Sequence, residues 1–123
     1  MGALVVFSVD VGRLARFYEA VLEARPRLEP SGDIRLVGER DEVLIHAVPD
    51  RIARTIEISS PPRPRDGSPI KPVFDVDSLA SALDAVHTTG GVVTDRAFSF
   101  GGLTRHDVLD PDGNVVQLRA PTT

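Results

Sequence analysis

The sequence predicts an α+β fold: two βαβββ modules whose mixed or antiparallel strands curve around a central cleft. Three observations lead there. An apolar strand, an Asp and an amphipathic helix occur in that order from Leu4, and the order returns from Val73. Short stretches of two-residue alternation, separated by turn formers, follow each helix. A proline-rich segment divides the halves, giving modules of approximately 1–58 and 70–123 with a linker at 59–69. At 123 residues the chain has the size of one compact domain. Its 41% hydrophobic and 26% charged residues place it among globular rather than disordered chains.

Leu4 to Val9 is the first strand, and Asp10 follows as a helix N-cap whose carboxylate can accept first-turn amides. Val11, Leu14, Phe17, Tyr18, Val21 and Leu22 recur at spacings of three and four, which draws one apolar stripe along a helix. Pro26 marks the exit. Arg27 to Glu29 is a short strand, Ile34 to Val37 and Val43 to Ala47 are two more, and Gly38 to Asp41 joins the latter pair. Thr55 to Ile58 is either an extra strand or the end of a small helix begun near Asp50. Ser59 to Pro69 holds four prolines, so it belongs to neither a helix nor an interior strand, and a solvated surface path is expected.

Val73 to Val76 opens the second half, and Asp77 or Ser78 starts its helix. The stripe of that helix is Leu79, Ala82, Leu83 and Val86, closed by Gly90-Gly91. Three strands are expected after it, at Val92 to Thr94, Thr104 to Leu109 and Val115 to Arg119. Asp110-Pro111-Asp112-Gly113 has the chemistry of a type I turn between the last two.

The totals exclude several function classes. There is no cysteine, which removes disulfides, thiolate catalysis and cysteine-bound metal. Eighteen acidic against 14 basic residues give a net charge of -4, which opposes binding to a phosphate backbone, so no nucleic-acid partner is expected. Neither a signal peptide nor a membrane span is read, and a cytoplasmic location without membrane association is the expectation.

A helix covers one face of each sheet and leaves the other open. Two similar units can cover those faces mutually around a cleft, or pair them between chains, so a homodimer is expected. Ligand-facing residues are then sought on strand positions turned away from the helices. Val5, Phe7, Val73 and Phe100 are candidates for an apolar wall, with ordinary core packing as the alternative. Phe98-Ser99-Phe100-Gly101-Gly102 reads as an adaptable loop ahead of a strand, suited to stacking on a flat ligand, or as a plain hairpin connection with one buried phenylalanine. Lys71 is either an exposed edge residue or an inward cation that pairs with Asp75 or contacts a carboxylate. Gln117 and Arg119 share a face by alternation, which would suit a polar or anionic group, although Arg119 also stands near a strand end. His46 is a ligand contact or a structural imidazole, and it is the best general-base candidate if catalysis occurs.

Three segments carry a family resemblance: Asp10 through Phe17-Tyr18 to Leu22, Phe74-Asp75-Val76-Asp77-Ser78-Leu79, and Asp110-Pro111-Asp112-Gly113-Asn114 followed by Val115-Val116-Gln117-Leu118. With them the chain resembles the vicinal oxygen chelate superfamily, which includes glyoxalase I, extradiol dioxygenases, fosfomycin-resistance enzymes and bleomycin-binding resistance proteins. The resemblance implies paired modules around a U-shaped cavity. In the enzymes this cavity usually carries a divalent metal on His, Gln or Glu from the first and last strands of the modules.

Carried onto this chain, the four ligand positions fall at Ala3 (Leu4 if the register slips), His46, Lys71 (Pro72 with the same slip) and Gln117. Only His46 and Gln117 can donate to a metal. Asp75, His106 or Asp107 would have to complete a set, and His106 and Asp107 cannot face the same side without a bulge. No cofactor is therefore expected. The leading expectation is a non-catalytic protein that holds a small organic ligand, an aromatic or cationic natural product, in the manner of bleomycin resistance. The alternatives are a divergent metal-dependent glyoxalase, lyase or dioxygenase using His46 and Gln117, and a ligand-free regulatory or structural homodimer.

Overall fold

The computed structural model describes residues 2–56, 60–65, 67 and 70–122. The first half runs β1 (Gly2–Ser8), α1 (Val11–Leu22), β2 (Arg25–Leu28), β3 (Ile34–Val37) and β4 (Asp41–Ala47), then a short α2 (Asp50–Ala53). The second half runs β5 (Val73–Asp75), α3 (Leu79–Thr88), β6 (Val92–Phe100), β7 (Leu103–Leu109) and β8 (Val115–Pro121). Each half forms a four-stranded sheet of the same topology, β1-β4-β3-β2 and β5-β8-β7-β6. Both sheets are mixed, because the first and last strands of each half run parallel while the other pairs are antiparallel.

Local chemistry sets the helix ends. The Asp10 carboxylate accepts from Arg13 N at 3.0 Å, and the Ser78 hydroxyl from Ser81 N at 3.2 Å, so Ser78 caps α3. The apolar stripe of α1 puts Leu14, Phe17, Tyr18 and Val21 against Leu36, Val43 and Ile45 of its sheet. Ala82 and Val86 of α3 belong to the same continuous core as Val108, Val116 and Leu118. The two helices pack on each other, and the rings of Phe17, Tyr18 and Phe74 meet edge to face, so one core serves both halves. Gly91 permits this approach. A Cβ there would stand 2.6 Å from both the Leu109 carbonyl oxygen and Phe17 Cε2.

The Asp110–Asn114 turn clasps the halves together. Gly113 N donates to Asp110 O at 2.9 Å, which closes the expected turn. The Asp110 carboxylate is wholly buried and takes four donors: Asp112 N, Asn114 N, Asn114 Nδ2 and, at 2.7 Å, the hydroxyl of Tyr18 from the other module. Arg13 Nη2 reaches the buried Asp112 at 3.0 Å. Burial, followed by the neighbouring Asp110, holds the Tyr18 phenol well above its ordinary pKa, and burial pushes Asp110 up as well.

Four expectations are corrected. β2 covers Arg25–Leu28, not Arg27 to Glu29; Pro26 fits inside it because β2 is an edge strand. Thr55 and Ile56 belong to neither a strand nor the helix begun at Asp50, because α2 ends at Ala53, while Glu57 and Ile58 lie outside the described residues. The proline-rich segment was expected to run solvated, yet Pro62 is buried, Arg65 N bonds Gly113 O at 3.0 Å and Arg65 Nε bonds Asp112 O. Ser59, Asp66, Ser68 and Pro69 of that segment are outside the described residues. Finally, β6 continues through Phe100 instead of ending at Thr94. Phe98 and Phe100 are therefore strand residues, and both are exposed. Gly101 and Gly102 take positive φ of 63° and 77°, the backbone a two-residue hairpin requires, and this lets pairing run to Phe100 opposite Leu103.

Candidate functional site

Strand alternation settles which residues face away from the helices. On β1, Leu4 and Val6 turn to the core, leaving Ala3, Val5 and Phe7 on the open face. His46 lies beside Phe7 in register, and the two rings meet edge to face at 5.2 Å. In the second sheet Val73 stands beside Gln117, and Gln117 opposite Asp107, so all three share the open face with Asp75, Arg105 and Arg119. The register is thus Ala3 and Lys71, not Leu4 and Pro72. His106 stands opposite the core residue Leu118, on the helix side, and its Nε2 lies 2.6 Å from Thr94 O.

Two polar groupings occupy the open faces. On the first sheet, His46 Nδ1 lies 2.6 Å from Asp33, whose carboxylate also accepts from Ala47 N and Ser31 Oγ. The His46 hydrogen bond holds the Asp33 carboxyl below its ordinary pKa, against the opposing effect of burial. An ionised Asp33 can only accept, so it fixes a proton on Nδ1 and leaves Nε2 of a neutral ring as an acceptor toward the open side. On the second sheet, Lys71 Nζ donates to Asp107 Oδ2 at 2.8 Å, Gln117 Nε2 to Asp107 Oδ1 at 3.1 Å, and Arg105 Nη1 to Gln117 Oε1 at 3.3 Å. Phe100 lies under the Arg105 guanidinium at 5.3 Å. Arg119 chelates Asp75, whose carboxyl it holds below the ordinary range.

Between the modules lies a cavity of about 390 Å³. Leu4, Val5, Val6 and Phe7 form one wall; Ile70, Pro72, Val115 and Val116 form the other, with Tyr18 and Asn114. Its charged lining residues are Arg65, Lys71 and Arg96, all cations. Of the sequence candidates, Val5, Phe7 and Lys71 line this cavity. His46, Val73, Gln117, Arg119 and Phe100 stand on the open faces outside it. Lys71 pairs with Asp107, not with Asp75 as considered from the sequence.

The metal positions can be tested on these contacts. Ala3 has no donor atom and Lys71 presents an ammonium. His46 engages Asp33 through Nδ1, and both polar atoms of Gln117 are bonded within the second sheet. The three residues that might have completed a set are also committed: Asp75 to Arg119, Asp107 to Lys71 and Gln117, and His106 to the other face. No three metal-donor side chains converge among the described residues. The donor set does not fit a divalent ion.

Sequence reasoning missed Asp33, Arg105, Arg65 and Arg96. Asp33 had a signal: extending the Ile34–Ile45 pairing by one residue sets Asp33 opposite His46. The three arginines had none, since arginine supplies 13 of the 14 basic residues.

Two βαβββ units of equal topology, joined through one shared core and bordering a lined cavity, define the class of paired-module pocket proteins. The chain belongs to the glyoxalase/bleomycin resistance protein/dioxygenase superfamily, whose family model matches residues 1–118. No curated protein matches it in sequence. Solved structures share the fold. A glyoxalase/bleomycin resistance protein from Albidiferax ferrireducens T118 is 17% identical over 99% of this chain and 98% of that one, with a TM-score of 0.70. A family enzyme from Burkholderia phytofirmans PsJN is also 17% identical, over 98% and 97%, with a TM-score of 0.70. The fosfomycin resistance protein FosX from Listeria monocytogenes is 12% identical over 99% and 93%, with a TM-score of 0.68. Among the described residues no helix is long and apolar enough to cross a membrane.

Proposed function

We propose that the protein binds a small organic molecule with an apolar or aromatic body between its modules, without a divalent metal, and holds the molecule without transforming it. The observation that carries this reading is the cavity of about 390 Å³ with apolar walls and a few polar groups. That size and lining suit a ligand of drug-like dimensions, for which pockets run from roughly 300 to 1,000 Å³. The resistance proteins named in the family description, and FosX among the structural relatives, support a small bioactive molecule as the ligand class. Of the two ligand characters suggested by the sequence, aromatic is retained. Cationic is disfavoured, because Arg65, Lys71 and Arg96 would repel a cation and no carboxylate lines the space among the described residues.

The test is a thermal-shift screen of small aromatic acids, amines and neutral compounds in EDTA. A ligand at a hundred times its Kd stabilises the fold by about 2.7 kcal/mol, which is readily seen. Absence of any saturable shift, or a shift that requires added metal, would defeat the reading. A second copy of the chain is the proposed partner for the open faces, where Phe7 is 61% and Phe100 67% exposed. Sedimentation at micromolar concentration measures this, and a monomer at all concentrations would refute it.

A further inference from the structure

We propose that the Lys71 ammonium, held by Asp107, is the built-in cation of the intermodular cavity and takes the carboxylate of a small organic acid. This rests on the ligand-binding reading of the cavity and adds the ligand's charge, the contact that recognises it and the reason metal is dispensable.

A chain of donors fixes the ammonium. Arg105 holds the Gln117 oxygen, the Gln117 amide holds one oxygen of Asp107, and the other Asp107 oxygen accepts from Lys71. Asp107 is only 2% exposed, whereas Lys71 is 41% exposed and lines the cavity. An ammonium has three N–H donors. Asp107 takes one, and no second acceptor for Nζ exists among the described residues, so two are left for an incoming oxygen. The cradle does not neutralise the site, because Arg105 and Lys71 together outweigh Asp107.

Beyond the cradle, Arg65 and Arg96 line the same space. Arg65 Nε is engaged by Asp112 O, but the Arg96 guanidinium has no ion-pair partner among the described residues. An oxyanion beside Lys71 therefore meets converging positive charge, while Val5 and Phe7 receive the apolar body. Lys71 is also the only lysine in the chain. A compact ammonium can donate to Asp107 on one side and to a ligand oxygen on another, whereas a planar guanidinium favours a two-toothed grip on the carboxylate. The same geometry rejects a divalent ion. Its approach to Asp107 would bring it against the ammonium already bound there.

The experiment is calorimetric titration, with and without EDTA, of benzoate and of its neutral counterpart benzamide into the wild-type chain, Lys71→Met, and the double variant Lys71→Met/Asp107→Asn. The double variant leaves no unpaired buried carboxylate, so it keeps the test available if Lys71→Met fails to fold. Wild type is expected to bind benzoate saturably, with the same affinity in the presence and absence of EDTA. Both variants should lose tenfold or more of that affinity, and benzamide binding should change less than twofold. Variants that keep benzoate affinity within twofold would overturn the role of Lys71 while leaving the cavity reading intact, and wild-type binding abolished by EDTA would overturn both. Binding of neither probe by the wild type would overturn both.

Discussion

Replacing Tyr18 by phenylalanine removes one oxygen and leaves the ring where it is. That oxygen donates to Asp110 at 2.7 Å across the boundary between modules, 92 residues away in sequence. Asp110 would keep its bonds from Asp112 N, Asn114 N and Asn114 Nδ2, so the loss is one charge-assisted hydrogen bond and not an orphaned carboxylate. Such a bond contributes about 1.5–3 kcal/mol, against about 3–5 for stranding a buried charge. The expected cost is therefore about 2 kcal/mol, or roughly 6–10 °C in Tm for a domain of this size. Denaturant unfolding followed by far-UV circular dichroism measures it, with an unchanged m-value as the control.

Tyr18 is the only tyrosine and there is no tryptophan, so phenolate absorbance reports this one hydroxyl. Its raised pKa means the folded chain keeps a proton that the unfolded chain releases at about pH 10. Stability from this group is full below that pH and falls as pH rises toward the folded value. Phenolate should appear together with unfolding, and the alkaline loss attributable to this group should be absent in the variant. A destabilisation below about 0.5 kcal/mol, the range of an ordinary surface change, would refute the reasoning. Titration of the native phenol near its ordinary pKa would refute it equally.

Gly91→Ala should destabilise by about 3 kcal/mol, because its Cβ meets a backbone carbonyl that cannot swing aside; thermal unfolding would show it. For Asp33, the lowered carboxyl pKa adds stability that is present above the unfolded carboxylate range and lost as pH falls through the folded value. The stability gap between wild type and Asp33→Asn should accordingly be open at neutral pH and close in acid, as measured by denaturant midpoints across the pH range. Nitrogen-15 NMR of neutral His46 should show the proton on Nδ1 in wild type and a mixed tautomer in Asp33→Asn. Arg119→Ala should cost less than about 1 kcal/mol, since its pair with Asp75 is solvent-exposed.

The module plan was legible because hydrophobic period is a local property, and α1, α3 and the Asp110 turn each announce themselves within a few residues. What could not be read was where the chain's exceptions lie. Pro26 looked like an end and is inside a strand, since edge position is a fact about neighbours and not about proline. Phe98 and Phe100 looked like loop residues because the following glycines signal a turn without saying how far pairing reaches toward it. Faces were accessible in principle from alternation, which is why Gln117 and Arg119 were rightly grouped. The partners were not, because the Lys71–Asp107 and Tyr18–Asp110 contacts depend on how segments from different parts of the chain meet.

The clasp also sets a timetable. Tyr18 is synthesised early and Asp110 is made 92 residues later, so at about 5–20 residues per second the hydroxyl waits roughly 5–20 s for its acceptor. Through that interval the hydroxyl has no Asp110 to donate to. Closing so distant a contact draws on chain entropy. The turn that carries Asp110 is the latch, and it can tie the modules only once Asp110 has been made.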